Sequence, residues 1–585
     1  MFLQTIPEKR SGRVLMTFVE SYQDKQTRKI RQRTVETIGY IDEFEHLYPD
    51  VKAHFKEVAK EKTALKRAAL ADVTLTFSPA EQLKGTDTHR KSIGYMPLSQ
   101  EYQRLGLEVF LANRQSNLKI QYRLNSVLKL LVFGRVLFPA SKKQTFEKRD
   151  ALFEQFNFSL DDVYHSLSVF HALADKIKLH LHERVRQHYG RETELVYYDV
   201  TNYYFETDTL DHLRRKGVSK EHRPNPIVQM GLLMDEQGLP VTYDLFSGNT
   251  NDCETLMPVL KKLRGQYQVG RFIVVADRGL NTSNNTAMAL IKGDGYVYGQ
   301  SLLKGNKELR AFAIKEEGYR RSENDGGGFK IKSRIASRTL RLENTQGQIV
   351  ETTVEEKQVF FYSDKYALRA RAQRQEALDK AARIIAGGRK EKPSFGAVKY
   401  IKGATYDKST GEILRAGSLL SLDEERIREE ELYDGYYAIV SSEVGKSDED
   451  IVRIYRGLWR IEDSFRVTKS DLESRPVYVS REDHINAHFL TCFIALLLLR
   501  LVQHNTHRHV PVGQLVDAMR QMNGTSLQDN YYVFDHISPA ADAMGKAYQL
   551  PVDRKYLTRK EIMALRKAVP TPPPSKTQIL KQQAF

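Results

Sequence analysis

Three carboxylates carry the strongest chemical signal in this chain: Asp199, Asp277 and Glu462. Asp199 follows VYY and Asp277 follows FIVVA, so each sits where an apolar strand pattern reaches the rim of a buried sheet. In open α/β sheets, side chains at strand ends gather where ligands bind. A capping or turn aspartate is the plainer account of either one alone. Asp235 and Asp244 compete for the same role: Asp235 opens a hairpin turn, where aspartate has a structural use, and Asp244 sits in mid-strand. Glu462 lies in YRGLWRIEDSFRVTKSDLE (455–473). Read as one helix, this stretch turns Tyr455, Glu462 and Lys469 the same way, because they recur every seven residues. Arg456, Arg460 and Arg466 add positive charge, and Trp459, the only tryptophan, offers a stacking surface. The ordinary alternative is a solvated glutamate paired with Arg466 one turn on. A lone carboxylate in this company suits a place where a cation and a phosphate meet, with basic side chains on the strand and the carboxylate on the cation.

The elements that must hold these residues are legible from patterning. ELVYYDVTNYYFE, from 194, is a strand of aromatic and branched residues, and 227–248 is a hairpin of two apolar runs about a polar turn. A helix follows from Asp252, a suitable N-cap, and then come the strand RFIVVADRGL, a helix over TSNNTAMALIKG and the strand GYVYGQSL. Three antiparallel strands followed by strand–helix alternation is the element order of a ribonuclease-H-like α/β domain. Between 301 and 445 the alternation breaks into loops, strands and a basic helix, which predicts an inserted, mainly β subdomain. DGYYAIVSSE (434–443) then returns the chain to the core. The fold class expected is multidomain α/β, with that core interrupted by the insertion and preceded by an N-terminal β element and a helical region. The boundaries predicted are 1–90 for the β element and its helix, 91–193 for the helical region, and 194–300 for the first part of the core. The insertion takes 301–445, the second part of the core 446–510, and C-terminal helices and a loose tail (PTPPPSKTQ) 511–585.

Composition narrows the partners. The chain has 585 residues and a formal net charge of +16, which favours a polyanion because each cation set on a phosphate releases counterions. Its two cysteines, Cys253 and Cys492, form no C-x-x-C pair, which argues against a disulfide framework or a cysteine zinc site and fits a reducing compartment. The N-terminus lacks the apolar core of a signal peptide, and the longest apolar run, 489–499, is too short to cross a bilayer. A soluble, cytoplasmic protein is therefore expected, associated with the nucleoid when acting.

YYDVTNYYFE, VVADRGL and YRGLWRIEDSFRVTK resemble the three catalytic blocks of bacterial insertion-sequence DDE transposases of the insertion-sequence-four superfamily. Members carry Tyr-x2-Arg-x3-Glu-x6-Lys around the catalytic glutamate. Tyr455, Glu462 and Lys469 match it, while Leu458 stands at the arginine position, so that contact is missing or comes from Arg456 or Arg460. The resemblance implies that Asp199, Asp277 and Glu462 bind two divalent cations, Mg²⁺ with Mn²⁺ as a substitute, since hard oxygen ligands suit hard ions. It implies phosphoryl transfer on DNA without a covalent protein–DNA intermediate. Tyr455 and Lys469 would hold transposon-end phosphates, with Arg456, Trp459, Arg460 and Arg466 as further DNA contacts. The N-terminal blocks would recognise terminal inverted repeats, and a homodimer would bridge two ends before target DNA is joined.

Two other readings compete: a ribonuclease-H-like nuclease that cuts but does not join, and a catalytically idle DNA-binding descendant. HNTHRH (504–509) reads as a solvated helix end, because no partner ligands lie at suitable spacing. SENDGGG lacks the Gly-Lys-Ser/Thr of a nucleotide-phosphate loop. The basic loop LRRKGVSKEHRPNP (213–226) either grips DNA near the cations or is a solvated connection.

Overall fold

The computed structural model describes residues 1–585 except 9–11, 24–29, 69–74, 76–79, 81, 83–88, 221–223, 268, 322–327, 344–347, 388–394, 407–412, 528–529 and 568–585. The chain divides into two compact units, Met1–Leu83 and Lys84–Phe585. In the first, β1 (Phe2–Pro7), β2 (Val14–Gln23) and β3 (Ile30–Tyr40) form an antiparallel sheet, followed by helix α1 (Val51–Ala68). β1 pairs with β2 from Phe2↔Val19 to Pro7↔Val14. Met16, Phe18 and Val19 are buried, and the edge of Phe55 from α1 meets the ring of Phe44 at 5.1 Å. Between β2 and β3, the basic residues Lys25, Arg28 and Lys29 lie outside the described residues.

The second unit opens with a short strand, β4 (Arg90–Ser92), and five helices: α2 (Met96–Arg104), α3 (Leu107–Gln115), α4 (Leu124–Leu137), α5 (Lys142–Glu147) and α6 (Leu160–Tyr189). The sheet elements follow as β5 (Leu195–Tyr204), β6 (Ile227–Asp235), β7 (Pro240–Ser247), α7 (Asp252–Tyr267), β8 (Ile273–Ala276), α8 (Ser283–Ile291) and β9 (Gly295–Gln300). This is the element order expected from the sequence. β5 is antiparallel to β6 and β6 to β7, whereas β5, β8 and β9 run parallel.

The stretch expected as a separate β subdomain instead extends the same sheet. After α9 (Lys307–Ile314) and β10 (Arg320–Arg321), a long hairpin of β11 (Phe329–Glu343) and β12 (Ile349–Ser363) joins the sheet through β15 (Tyr436–Ser441), which pairs with both β12 and β9. Among the described residues the sheet has nine strands, ordered β10-β11-β12-β15-β9-β8-β5-β6-β7. Phe360 and Phe361 of β12 are buried, so the hairpin base belongs to the core while its tip is exposed. Between β12 and β15 lie α10 (Asp364–Ile385), α11 (Phe395–Val398), the pair β13 (Ile401–Tyr406) and β14 (Ile413–Leu422), and α12 (Glu424–Glu431). SENDGGG lies almost wholly outside the described residues.

After β15 come α13 (Asp448–Arg456), α14 (Trp459–Arg466) and α15 (Glu482–Asn505). α15 is long and apolar enough to cross a membrane, yet its apolar stretch is 94% buried, packed against α2, α4 and α6. Burial on all sides explains why its sequence lacks a polar face. Beyond it are α16 (Val512–Gln521), β16 (Asn523–Ser526), β17 (Tyr531–Phe534), α17 (Pro539–Tyr548), β18 (Tyr556–Thr558) and α18 (Arg559–Lys567). The C-terminal region is therefore not purely helical: a sheet ordered β18-β17-β16-β4 ties it to the start of the unit. PTPPPSKTQ lies outside the described residues.

HNTHRH is exposed at His507, Arg508 and His509, as expected of a solvated end, but not throughout. Asn505 and Thr506 are buried. The Asn505 amide donates to Glu101 Oε1 (2.8 Å) and Tyr548 Oη (2.9 Å), and Tyr548 Oη donates to Glu101 as well (2.8 Å). Arg104 and Tyr189 complete the set around the Glu101 carboxylate. Three of these residues come from the helical region and two from the C-terminal third, so this buried network joins parts of the sequence that patterning treats separately.

Candidate active site

The site is built by a mismatch in strand length. β5 and β8 run in parallel register from Leu195↔Ile273 to Tyr198↔Ala276, and there β8 ends. The next residues are Asp199 and Asp277, so the two carboxylates stand on neighbouring strands where the ladder opens. Alternation puts Asp199 on the same face as Tyr197 and Tyr203. Beyond Tyr198, β5 continues against β6 alone, and Val200 turns its N–H and C=O towards the vacated side. The Val200 N–H donates to Asp199 Oδ1 (2.7 Å), and the Lys220 ammonium donates to the Val200 carbonyl. Burial lifts the Asp199 carboxyl to about 6, and the charges of Asp277 and Asp252 push the same way against Lys220 and the Val200 N–H. Burial likewise raises Asp252, with Lys220 opposing.

The 455–473 stretch covers this face, but not as one regular helix. α13 ends at Arg456, the chain tightens through Gly457 and Leu458, α14 runs to Arg466, and a π turn spans Val467–Asp471. Tyr197 packs against this turn: a Cβ on Gly457 would lie 2.0 Å from its hydroxyl oxygen, so only glycine fits there. Further along, Tyr203 Oη and Thr468 Oγ1 are hydrogen-bonded at 2.8 Å, so the run is pinned to β5 on both sides of Asp199.

The structure places the sequence candidates unequally. Tyr455 Oη donates to Asp277 Oδ1 at 3.2 Å, and a Cβ on Gly299 of β9 would fall 2.4 Å from that phenol oxygen. Burial, then Asp277, holds the Tyr455 phenol well above its usual range. Lys469 lies 5.7 Å above the Tyr203 ring; burial and then Lys220 lower its ammonium to about 8, partly offset by Asp199. Glu462 falls between these two on the run and is exposed. Strand register places Asp199 and Asp277 at neighbouring strand ends, and among the described residues no group of three metal-ligating side chains is assembled. Arg456 stacks over Phe329 (4.9 Å), Arg460 reaches Tyr197 Oη (3.4 Å), and Trp459 is 58% exposed. Arg466 is held by Asp463 (3.0 Å) and Asp471 (3.2 Å). Leu458 is a core residue, so no cation at that position faces solvent.

The competing aspartates are structural. Asp235 is fully buried, accepting from Arg191 Nε (2.8 Å) and the Leu239 N–H (2.8 Å). Asp244 is paired with Lys262 (2.8 Å) and Lys178 (3.6 Å). Sequence reasoning missed Asp252 and Lys220 as neighbours of the site. Their signals were a helix N-cap and a basic loop, and neither says which strand end it faces.

A family model described as the transposase DDE domain matches residues 212–498, and one described as the IS1634 family transposase N-terminal domain matches residues 3–72. The chain is a bacterial insertion-sequence DDE transposase. The first match contains Asp277 and Glu462 and begins after Asp199. No curated protein matches the transposase. Among solved structures, it is similar to a piggyBac transposase synaptic complex with hairpin DNA, at 10% identity and a TM-score of 0.36, covering 84% of this chain and 90% of that one. It is also similar to a Mos1 transposase paired-end complex with left transposon end, at 11% identity and a TM-score of 0.13, covering 42% and 66%. Likenesses so distant carry no argument about the site.

Proposed function

We propose that the transposase cleaves DNA at its transposon ends and joins the freed ends to a target by metal-dependent phosphoryl transfer at Asp199, Asp277 and Glu462. The observation that carries this reading is the pairing of Asp199 and Asp277 at the opening between β5 and β8. Strand order β7-β6-β5-β8-β9, with three antiparallel strands and then two parallel ones, supports a ribonuclease-H-like core. In such sheets, ligands bind beyond the carboxyl ends of the strands.

The donor set fits a hard divalent cation. Asp199 and Asp277 offer adjacent carboxylate oxygens, and burial together with neighbouring negative charge makes the ionised state of Asp199 costly until a cation shares it. Mg²⁺ is the ion proposed, with Mn²⁺ able to replace it, and exposed Glu462 is free to swing in as the third ligand. When bound, such ions lower the pKa of the attacking hydroxyl and stabilise the departing oxygen. The chain's own residues do the rest. Tyr455 orients Asp277 through its hydrogen bond and, with Lys469, flanks the carboxylates as a phosphate contact. Trp459 offers a face for a base, and Arg456, Arg460 and Arg466 add positive charge along the same run.

The N-terminal unit and the helical region are proposed to bind the terminal inverted repeats, and two copies to bridge two ends. The test is to incubate the full chain with Mg²⁺, DNA carrying its flanking ends and a supercoiled target. Joined products support transposition. Cleaved ends that never join a target would favour the nuclease reading, and ends bound but left uncut would favour a DNA-binding role alone.

A further inference from the structure

We propose that Lys220 is the resident counter-ion of the Asp199 site, occupying in the DNA-free protein the charge position that a divalent cation takes on binding. This inference rests on the reading of Asp199 as a metal ligand. Its basis is the opened ladder edge. Where β8 stops, the N–H and C=O of Val200 face the gap, and two side chains of opposite charge take them: the Asp199 carboxylate the N–H, the Lys220 ammonium the C=O. A residue's N–H and C=O lie on the same side of a strand, so both charges are fastened to one step of β5.

The surrounding charges give the ammonium a purpose. Asp277 and Asp252 both act on the Asp199 carboxylate, and Lys220 acts against the protonation of both Asp199 and Asp252. Lys469 also acts on this place, and Lys220 repels it. Negative charge around partly buried Asp199 would be costly to hold without a cation. Lys220 suits a temporary partner, because it is exposed and comes from the loop before β6 rather than from the packed sheet. A divalent ion at Asp199 would meet a monovalent cation already there, so the two compete, and the displaced ammonium is left beside the position of the incoming phosphate.

The test is Mn²⁺ binding to the full chain without DNA, by calorimetric titration at neutral pH, for wild type, Lys220→Met, Lys220→Arg and Asp199→Asn. Removing the competing charge is expected to tighten Mn²⁺ by roughly three- to tenfold in Lys220→Met, with Lys220→Arg binding as wild type does. Lys220→Gln, neutral but still able to donate to Val200, is expected to follow Lys220→Met, which separates charge from loop anchoring. If Asp199→Asn abolishes binding while Lys220→Met binds Mn²⁺ as wild type does or more weakly, the counter-ion role is overturned. If Asp199→Asn binds Mn²⁺ normally, the metal-site assignment itself fails, independently of Lys220.

Discussion

Asp199 and Asp277 occupy the same step of two neighbouring parallel strands, each one residue beyond the last paired position, Tyr198↔Ala276. Asp199 is partly buried and Asp277 exposed; the charge of Asp277 raises the Asp199 carboxyl, and the sheet below fixes both backbones. The fold thus brings like charges together before any cation arrives, at a cost that appears in the protein's response to pH.

That cost has a definite sign. The Asp199 carboxyl is lifted from the ordinary 3.8 to about 6, mainly by burial. A folded pKa above the unfolded one means the penalty on ionised Asp199 is absent below about pH 4. It grows between pH 4 and 6 and is complete above. Asp199→Asn in metal-free protein is therefore expected to be more stable than wild type at pH 8, by about 2–3 kcal/mol, with the advantage fading as pH falls to 4. Thermal midpoints in EDTA across that range check it; a constant difference would contradict the burial account.

At Gly457 the 455–473 run lies close against the sheet. With Tyr197 Oη 2.0 Å from a would-be Cβ, Gly457→Ala must move the run or the tyrosine. The expected outcome is a stability loss of about 1–3 kcal/mol from overpacking. End cleavage should fall by about 100-fold if the shift misplaces Glu462 by an ångström. Thermal unfolding and single-turnover cleavage measure the two effects separately.

Salt dependence distinguishes the cations on this run. Lys469 lies over the Tyr203 ring within reach of the Asp199 charge, and Arg466 is held by Asp463 and Asp471. Lys469→Ala is expected to make the log–log salt slope of end binding shallower by about one unit, and Arg466→Ala to leave it nearly unchanged. Equal slopes for the two variants would remove the distinction.

Much of this was legible in the sequence. The order β5-β6-β7-α7-β8-α8-β9 follows from apolar runs and turn residues, which are local signals. The β11–β12 hairpin was visible as strands, but nothing local says which sheet a strand joins, so its place beside β15 was not. The helical character of 455–473 was clear. The close approach of Tyr197 to Gly457 was not, because Tyr197 is far away in sequence. Asp252 and Lys220 escaped for the same reason: a cap residue and a loop lysine gain their meaning only from the strand end they face.

Asp199, Asp277 and Glu462 are proposed to act together on the scissile phosphate, and Glu462 bears the heaviest test because it is exposed and on a separate element. The deciding measurement is Mg²⁺-dependent cleavage of transposon-end DNA by Asp199→Asn, Asp277→Asn and Glu462→Gln, with end binding measured alongside. Each variant is predicted to bind the ends as wild type does and to cleave them at least about 1000-fold more slowly, as loss of a metal ligand requires. Near-wild-type cleavage by Glu462→Gln, or by either aspartate variant, would contradict it.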